Sequence, residues 1–226
     1  MPRSVHRLLA GLVAAAIVVA ADAAWAGNDP ALDAGLGHLE HRWAHIKYQV
    51  TDSDAQYQDY KALAAEAAAL VRRYPTAAGP LIWNGIIVSS EAGVAGAFDA
   101  LGLAGDARDM FVAAGKIDDR ALHGAVPTSL GSLYYLVPGF PLGFGDDDKA
   151  RRFLEQGVAI DPDGLDSNYF YGDFLARQGE YAKARGVLTR ALAAPLHPDR
   201  PVWDAGRRRE IRGLLARVDR KLAAGG

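Results

Sequence analysis

Ala150 and Ala184 stand 34 residues apart, each inside the same pattern of small and large residues. Around Ala184 the register reads Gly172, Gly179, Tyr181, Leu188, Ala191 and Pro195. Around Ala150 it reads Gly131, Tyr134, Leu154, Gly157 and Pro162. Gly102, Ala107, Phe111 and Ala114 repeat the spacing of Gly179, Ala184, Leu188 and Ala191. Such a period holds two helices and a turn, and a single hairpin of that kind cannot bury its apolar face alone. The chain is therefore committed to stacking hairpins. Ala107 to Ala150 spans 43 residues, nine over the period. Two of the nine precede Leu130-Gly131, and seven fall in Val137–Gly145, an insertion at the turn inside one repeat. In this register Gly172 and Ala184 mark the close approach of paired helices, with Leu188 filling the space beside Ala184. Gly179 ends the first helix in a left-handed conformation.

The rest of the chain supports helices. Half of it is apolar and rich in Ala and Leu, which lose little on entering a helix. Asp29-Pro30 starts a first helix, and Leu32, Leu36, Leu39, Trp43, Ile46 and Val50 form one apolar stripe. Thr51–Asp54 stops it and caps a second helix, which closes before Pro75. A third is expected from Pro80 to about Leu101, and a fourth after Gly102. Gly85, Gly93 and Gly96 weaken the third or let a neighbour approach closely. A fifth, holding Leu130 and Leu133, breaks at Val137–Gly145, where two prolines and three glycines forbid helix. Asp146–Asp148 starts a sixth. Asp161-Pro162 ends it, and Asp166 or Ser167 is expected to cap the seventh. The expected fold is all-α: a right-handed superhelix of helical hairpins over about 30–75, 80–119, 121–162 and 166–195, with a capping helix at 204–223. Residues 204–224 carry six Arg and one Lys against three acids, expected to form the solvated outer face of that cap. The same charge would also suit an acidic partner or anionic lipid.

Leu130-Gly131-Ser132-Leu133-Tyr134-Tyr135 and Tyr169-Phe170-Tyr171-Gly172-Asp173-Phe174 resemble the first helices of tetratricopeptide repeats. The block from Ser129 to Ala194 resembles a group of bacterial exported repeat proteins. It is also distantly similar to the tetratricopeptide component associated with TRAP-type transporters. That component carries a lipid on a cysteine, and this chain has no cysteine, so a tether does not carry over. The resemblance implies that the first helix of each pair lines a concave groove. Its groove candidates are Thr128, Ser132 and Tyr135 in one repeat, and Asp166, Tyr169, Asp173 and Arg177 in the next.

The first 26 residues read as an export signal. Arg3 and Arg7 precede an unbroken apolar run, Leu8–Ala21, of 14 residues. At ~1.5 Å per residue this is too short for a ~30 Å bilayer core. Ala24-Trp25-Ala26 offers cleavage after Ala26, and Ala21-Asp22-Ala23 a weaker alternative. Cleavage after Ala26 removes two Arg and one Asp, moving the net charge from −2 to −3. The expected location is periplasmic or secreted, with no membrane anchor retained. Neither charge points to nucleic acid.

No motif of catalysis survives inspection. The absence of cysteine excludes disulfides, thiolate metal sites and a cysteine nucleophile. His38, His41 and His45 share one helix face, but His38 and His45 stand ~10 Å apart along the axis, too far to share an ion readily. Asp161-Pro162-Asp163-Gly164-Leu165-Asp166 resembles a calcium loop only in its first half; Gly172 stands where a bidentate glutamate is needed. Gly139–Gly145 lacks the Lys-Ser/Thr of a phosphate loop. No His or acid stands at readable spacing from Ser89, Ser90, Ser129 or Ser132. No cofactor, metal site or catalytic residue is expected. The expected function is an exported, non-catalytic scaffold that binds a protein or peptide partner through its groove. The alternative is a small-molecule carrier or transporter accessory with its ligand under the apolar loop, at Phe140, Leu142 and Phe144. Without a ligand, that loop would be a flap packed on the neighbouring helix pair.

Overall fold

A computed structural model of the chain describes residues 29–224. The proposed export segment, 1–26, lies outside the described residues. Among them the secondary structure is helical throughout: α1 (Pro30–Gln49), α2 (Ser53–Arg73), α3 (Ala78–Val94), α4 (Ala97–Ile117), α5 (Ala121–Leu136), α6 (Asp147–Ile160), α7 (Leu165–Arg177), α8 (Tyr181–Ala193) and α9 (Pro201–Ala224). Local chemistry sets several ends. The Asp29 carboxylate accepts from the backbone N–H groups of Ala31 and Leu32, at 2.8 and 3.3 Å. Asp52 and Asp146 cap α2 and α6 in the same way. Gln56 Nε2 donates back to the carbonyls of Ile46 and Val50, tying the end of α1 to the start of α2.

The hairpins are stitched by one recurring contact. A Cβ added to Gly172 would lie 2.6 Å from Leu188, and one added to Gly131 would lie 2.6 Å from Leu154. A Cβ on Gly85 would lie 2.7 Å from Phe111. In each pair a glycine of the first helix receives the large side chain of the second. Ala107, Ala150 and Ala184, one turn before those large residues, are fully buried. Gly85 is thus the close-approach glycine of the α3–α4 pair.

Several boundaries differ from expectation. The α3–α4 break falls at Ala95-Gly96, not at Leu101-Gly102. Gly96 is the N-cap of α4, and its carbonyl accepts from Asp99 and Ala100. Gly102 is helical and exposed, so it does not play the part of Gly179, which alone of the two turns left-handed, at φ +76°. At the start of α5, Leu122, His123 and Gly124 all have positive φ (49°, 57° and 74°), so regular helix begins after them. Pro127 then falls in its first turn, where a missing N–H costs nothing. Gly164, not Asp166 or Ser167, is the N-cap of α7. Ser167 and Asn168 instead donate to carbonyls of Asp161, Pro162 and Gly164, pinning the α6–α7 turn. Finally, α9 begins at Pro201, a turn earlier than expected.

The hairpins close on themselves. α1 packs on α3, α3 on α5, α5 on α7 and α7 on α9, and α1 also packs on α9. The odd-numbered helices therefore form a ring, with α2, α4, α6 and α8 outside it. One apolar core runs through the join, from Leu39, Trp43 and Ile46 of α1 to Trp203, Ile211 and Val218 of α9. Gly206 faces Tyr48 so closely that a Cβ there would lie 2.5 Å from the ring. Arg207 and Arg208 of α9 are only 3% and 6% exposed. The cap is therefore not basic on a solvated face alone, and its first turns form an interior wall.

Candidate functional site

The odd-numbered helices, with Gln56 and Tyr60 of α2 and the α6–α7 and α8–α9 loops, line a central chamber of about 750 Å³. Its walls combine two chemistries. Trp43, Tyr60, Trp83, Phe170 and Trp203 contribute aromatic surface; Ser89, Ser90, Thr128, Ser129 and Ser132 contribute hydroxyls. Trp43 Nε1 donates to Ser90 Oγ at 2.8 Å, which fixes the indole against α3. Trp43 and Trp83 meet edge to face at 6.0 Å. Ser89 and Ser90 donate to Ile86 O, and Ser132 to Ser129 O. Their hydroxyls are thus spent on the backbone of their own helices, without a histidine or carboxylate to activate them.

A charged band crosses the α1–α9 join. Arg207 bonds Asp166 at 2.5 Å and Glu210 at 2.6 Å, and lies over the rings of Tyr169 and Phe170. Burial works against the charge on Arg207, but Asp166, Tyr48 and Glu210 outweigh it and hold the guanidinium protonated. Glu210 also accepts from the Tyr48 hydroxyl at 3.1 Å and stands 3.6 Å from Lys47 Nζ. Burial, then Arg207, lowers the Lys47 pKa. Arg200 bonds Glu40 at 2.8 Å and lies over Trp203. At the α8–α9 connection, Arg208 bonds Asp204 and donates to the carbonyls of Leu192, Ala194 and Pro195.

The groove candidates fall into two groups. Thr128, Ser132 and Asp166 line the chamber. Thr128 is almost wholly buried, its hydroxyl against Gly157 of α6. Tyr135, Asp173 and Arg177 form a cluster of their own. The Tyr135 hydroxyl and Arg177 Nε each donate to Asp173 Oδ2 at 3.0 Å, and Arg177 lies over the Tyr135 ring. Burial, reinforced by Asp173, pushes the Tyr135 phenol well above its ordinary value. Tyr169 is half-buried under Arg207. The α7 helix thus turns Asp166 and Phe170 to the chamber while α9 covers Tyr169.

The apolar loop does not roof the chamber. Phe140 and Leu142 are 93% and 72% exposed, so the loop is not a flap packed through its tip. Val137 and Phe144 turn inward to the core, Phe144 against Tyr134 and under Arg108 of α4. Backbone bonds hold the loop's base: Gly145 N–H to Pro138 O at 2.9 Å, and Asp146 N–H to Tyr134 O at 2.8 Å. Phe140, Leu142 and Phe144 are not among the residues that line the chamber.

His38, His41 and His45 are exposed on α1; His38 meets Glu66 at 2.8 Å and His45 meets Gln49 at 2.6 Å. Sequence reasoning missed the chamber's aromatic lining. Its one signal was that Trp43, Trp83 and Trp203 each fall on an odd-numbered helix.

No protein-family profile and no characterised protein sequence matches the chain. Solved structures do. TTC0263, a thermophilic TPR protein of Thermus thermophilus, superposes with a TM-score of 0.53 at 18% identity, over 85% of this chain and 91% of that one. MamA superposes with a TM-score of 0.42 at 15% identity, over 78% and 97%. At 18% identity the likeness to TTC0263 is one of fold: the chain is a helical-hairpin solenoid of the tetratricopeptide type.

Proposed function

We propose that this chain is an exported, non-catalytic scaffold that holds an extended segment of a partner protein in its central chamber. The observation that carries the proposal is the chamber itself: about 750 Å³, walled mainly by the odd-numbered helices and lined by both aromatic rings and hydroxyls. Helix-pair solenoids use their inner faces for recognition, and a mixed wall suits a backbone flanked by apolar side chains. The N-terminal pattern of Arg3, Arg7 and Leu8–Ala21 supports export. Among the described residues no helix is long and apolar enough to cross a membrane.

The test fills the chamber. Ser129→Trp places a large side chain on the wall at a half-buried position that makes no side-chain hydrogen bond among the described residues. Crosslinking in cells, followed by mass spectrometry, should recover partners with the parent and lose them with the variant by at least about tenfold, with thermal unfolding unchanged. Undiminished recovery would reject the chamber as the binding surface. Mass spectrometry of the secreted chain checks export: an N-terminus that retains Met1 or Arg3 refutes cleavage after Ala26.

A further inference from the structure

The charges on the chamber wall are unevenly matched. Lys47, Arg200 and Arg207 each have a carboxylate, in Glu210, Glu40 and Asp166. In the α6–α7 turn, Asp161 and Asp163 also line the chamber, and neither forms an ion pair among the described residues. The turn holds them rigidly, because Ser167 and Asn168 bind its carbonyls. Phe170, one turn into α7, and Trp83 of α3 put aromatic surface on the same chamber.

We infer that the chamber selects a positively charged peptide segment, with a Lys or Arg on the Asp161–Asp163 turn and an adjacent aromatic side chain against the wall. The inference rests on the proposal that the chamber binds a peptide, and adds the charge of what it takes. The physical reason is that the wall's lysine and arginines already have carboxylate partners, while Asp161 and Asp163 have no ion-pair partner among the described residues. An incoming cation gains their field in a partly desolvated space, and a carboxylate meets it as repulsion. Aromatic surface beside that turn favours a cation as well. Burial raises the Asp161 pKa; His123 opposes the rise, Asp163 and Asp166 add to it, and His197 opposes it again.

Trp43, Trp83 and Trp203 line the chamber, so intrinsic fluorescence reports its occupation. The probes are N-acetylated, C-amidated hexapeptides AFKAKA, AFQAQA and AFEAEA, titrated into the full chain with calorimetry alongside. AFKAKA should bind at least about tenfold more tightly than AFEAEA, with AFQAQA between. The preference should shrink below about threefold in Asp161→Asn/Asp163→Asn and persist in Asp148→Asn/Asp219→Asn, which removes equal charge outside the chamber. If the first variant fails to fold, raising salt from about 0.05 to about 0.5 M on the parent must weaken AFKAKA and strengthen AFEAEA. Equal binding of all three peptides overturns the charge selection and leaves the peptide chamber standing. Tighter binding of AFEAEA, or a preference that survives in Asp161→Asn/Asp163→Asn, overturns it too. No binding by any peptide, in fluorescence and in heat, removes the peptide reading and this inference together.

Discussion

A helical glycine ordinarily weakens its helix by ~1 kcal/mol relative to alanine. Gly186, exposed on α8 with nothing within 4 Å of an added Cβ, should follow that rule. Gly186→Ala is expected to stabilise the chain by up to ~1 kcal/mol in urea titrations. Gly206 should reverse it, because an added Cβ meets the Tyr48 ring at 2.5 Å and a ring face cannot fold away. Gly206→Ala is expected to cost ~1–3 kcal/mol. A second test at this scale concerns Asp161. Its folded pKa is raised above the ordinary 3.8, by burial first, with Asp163 and Asp166 adding and His123 and His197 opposing. The folded state therefore binds that proton more tightly than the unfolded chain. The resulting stability is fully present below pH 3.8 and lost as pH rises through the folded value. Asp161→Asn should raise Tm at pH ~7, and the gain should vanish in melts run below pH 3.8. The two glycines look alike in the sequence. What separates them is a neighbour 158 residues away for one and open solvent for the other.

At the scale of elements, α9 shows how one helix presents two chemistries. Arg208 is buried, bonds Asp204 at 2.8 Å and reaches three carbonyls, Leu192 in the last turn of α8 and Ala194 and Pro195 after it. Arg208→Met leaves those acceptors unmatched and the buried Asp204 carboxylate with His197 alone, and should cost ~3–5 kcal/mol in urea titrations. Asp204 carries the linked pH dependence. Burial alone would raise its pKa, but Arg208 and His197 prevail and lower it below 3.8. The contribution of the pair is therefore present above pH 3.8 and lost as pH falls below it. Asp204→Asn should flatten the acid limb of the melting curve below that pH. Outward, Arg209, Arg212, Arg217, Arg220 and Lys221 remain exposed, as a solvated cap face requires. The count of charges on α9 was legible in its sequence; which arginines point inward was not, because that depends on the carbonyls of a preceding loop.

For the whole molecule, ring closure is the main structural fact. Glu210 gathers Lys47, Tyr48 and Arg207 at the α1–α9 join, at 3.6, 3.1 and 2.6 Å. Glu210→Ala should cost ~2–3 kcal/mol, because it strips a charged acceptor from three donors at once. Small-angle scattering should show a larger radius of gyration if the join loosens, and an unchanged radius would mean that Leu39, Trp43, Trp203 and Ile211 hold it unaided. Since Trp43, Lys47, Trp203 and Arg207 at the same join line the chamber, loosening it should also weaken peptide capture.

Hairpin architecture, the Gly172–Leu188 and Gly131–Leu154 contacts and the left-handed end at Gly179 were determined by residues 16 to 34 positions apart. Over such spans helix period, glycine freedom and side-chain size act locally, and the sequence states them directly. Gly85 was read only together with Gly93 and Gly96 as a candidate point of close approach, because its partner Phe111 lies 26 residues on, past a break whose position Gly102 misreported. Only the tertiary structure decided that the solenoid closes and that α9 walls the chamber. The apolar loop's outward tip likewise emerged only there. Each of these depends on how small rotations between successive hairpins add up around the molecule, and no window of sequence contains that sum.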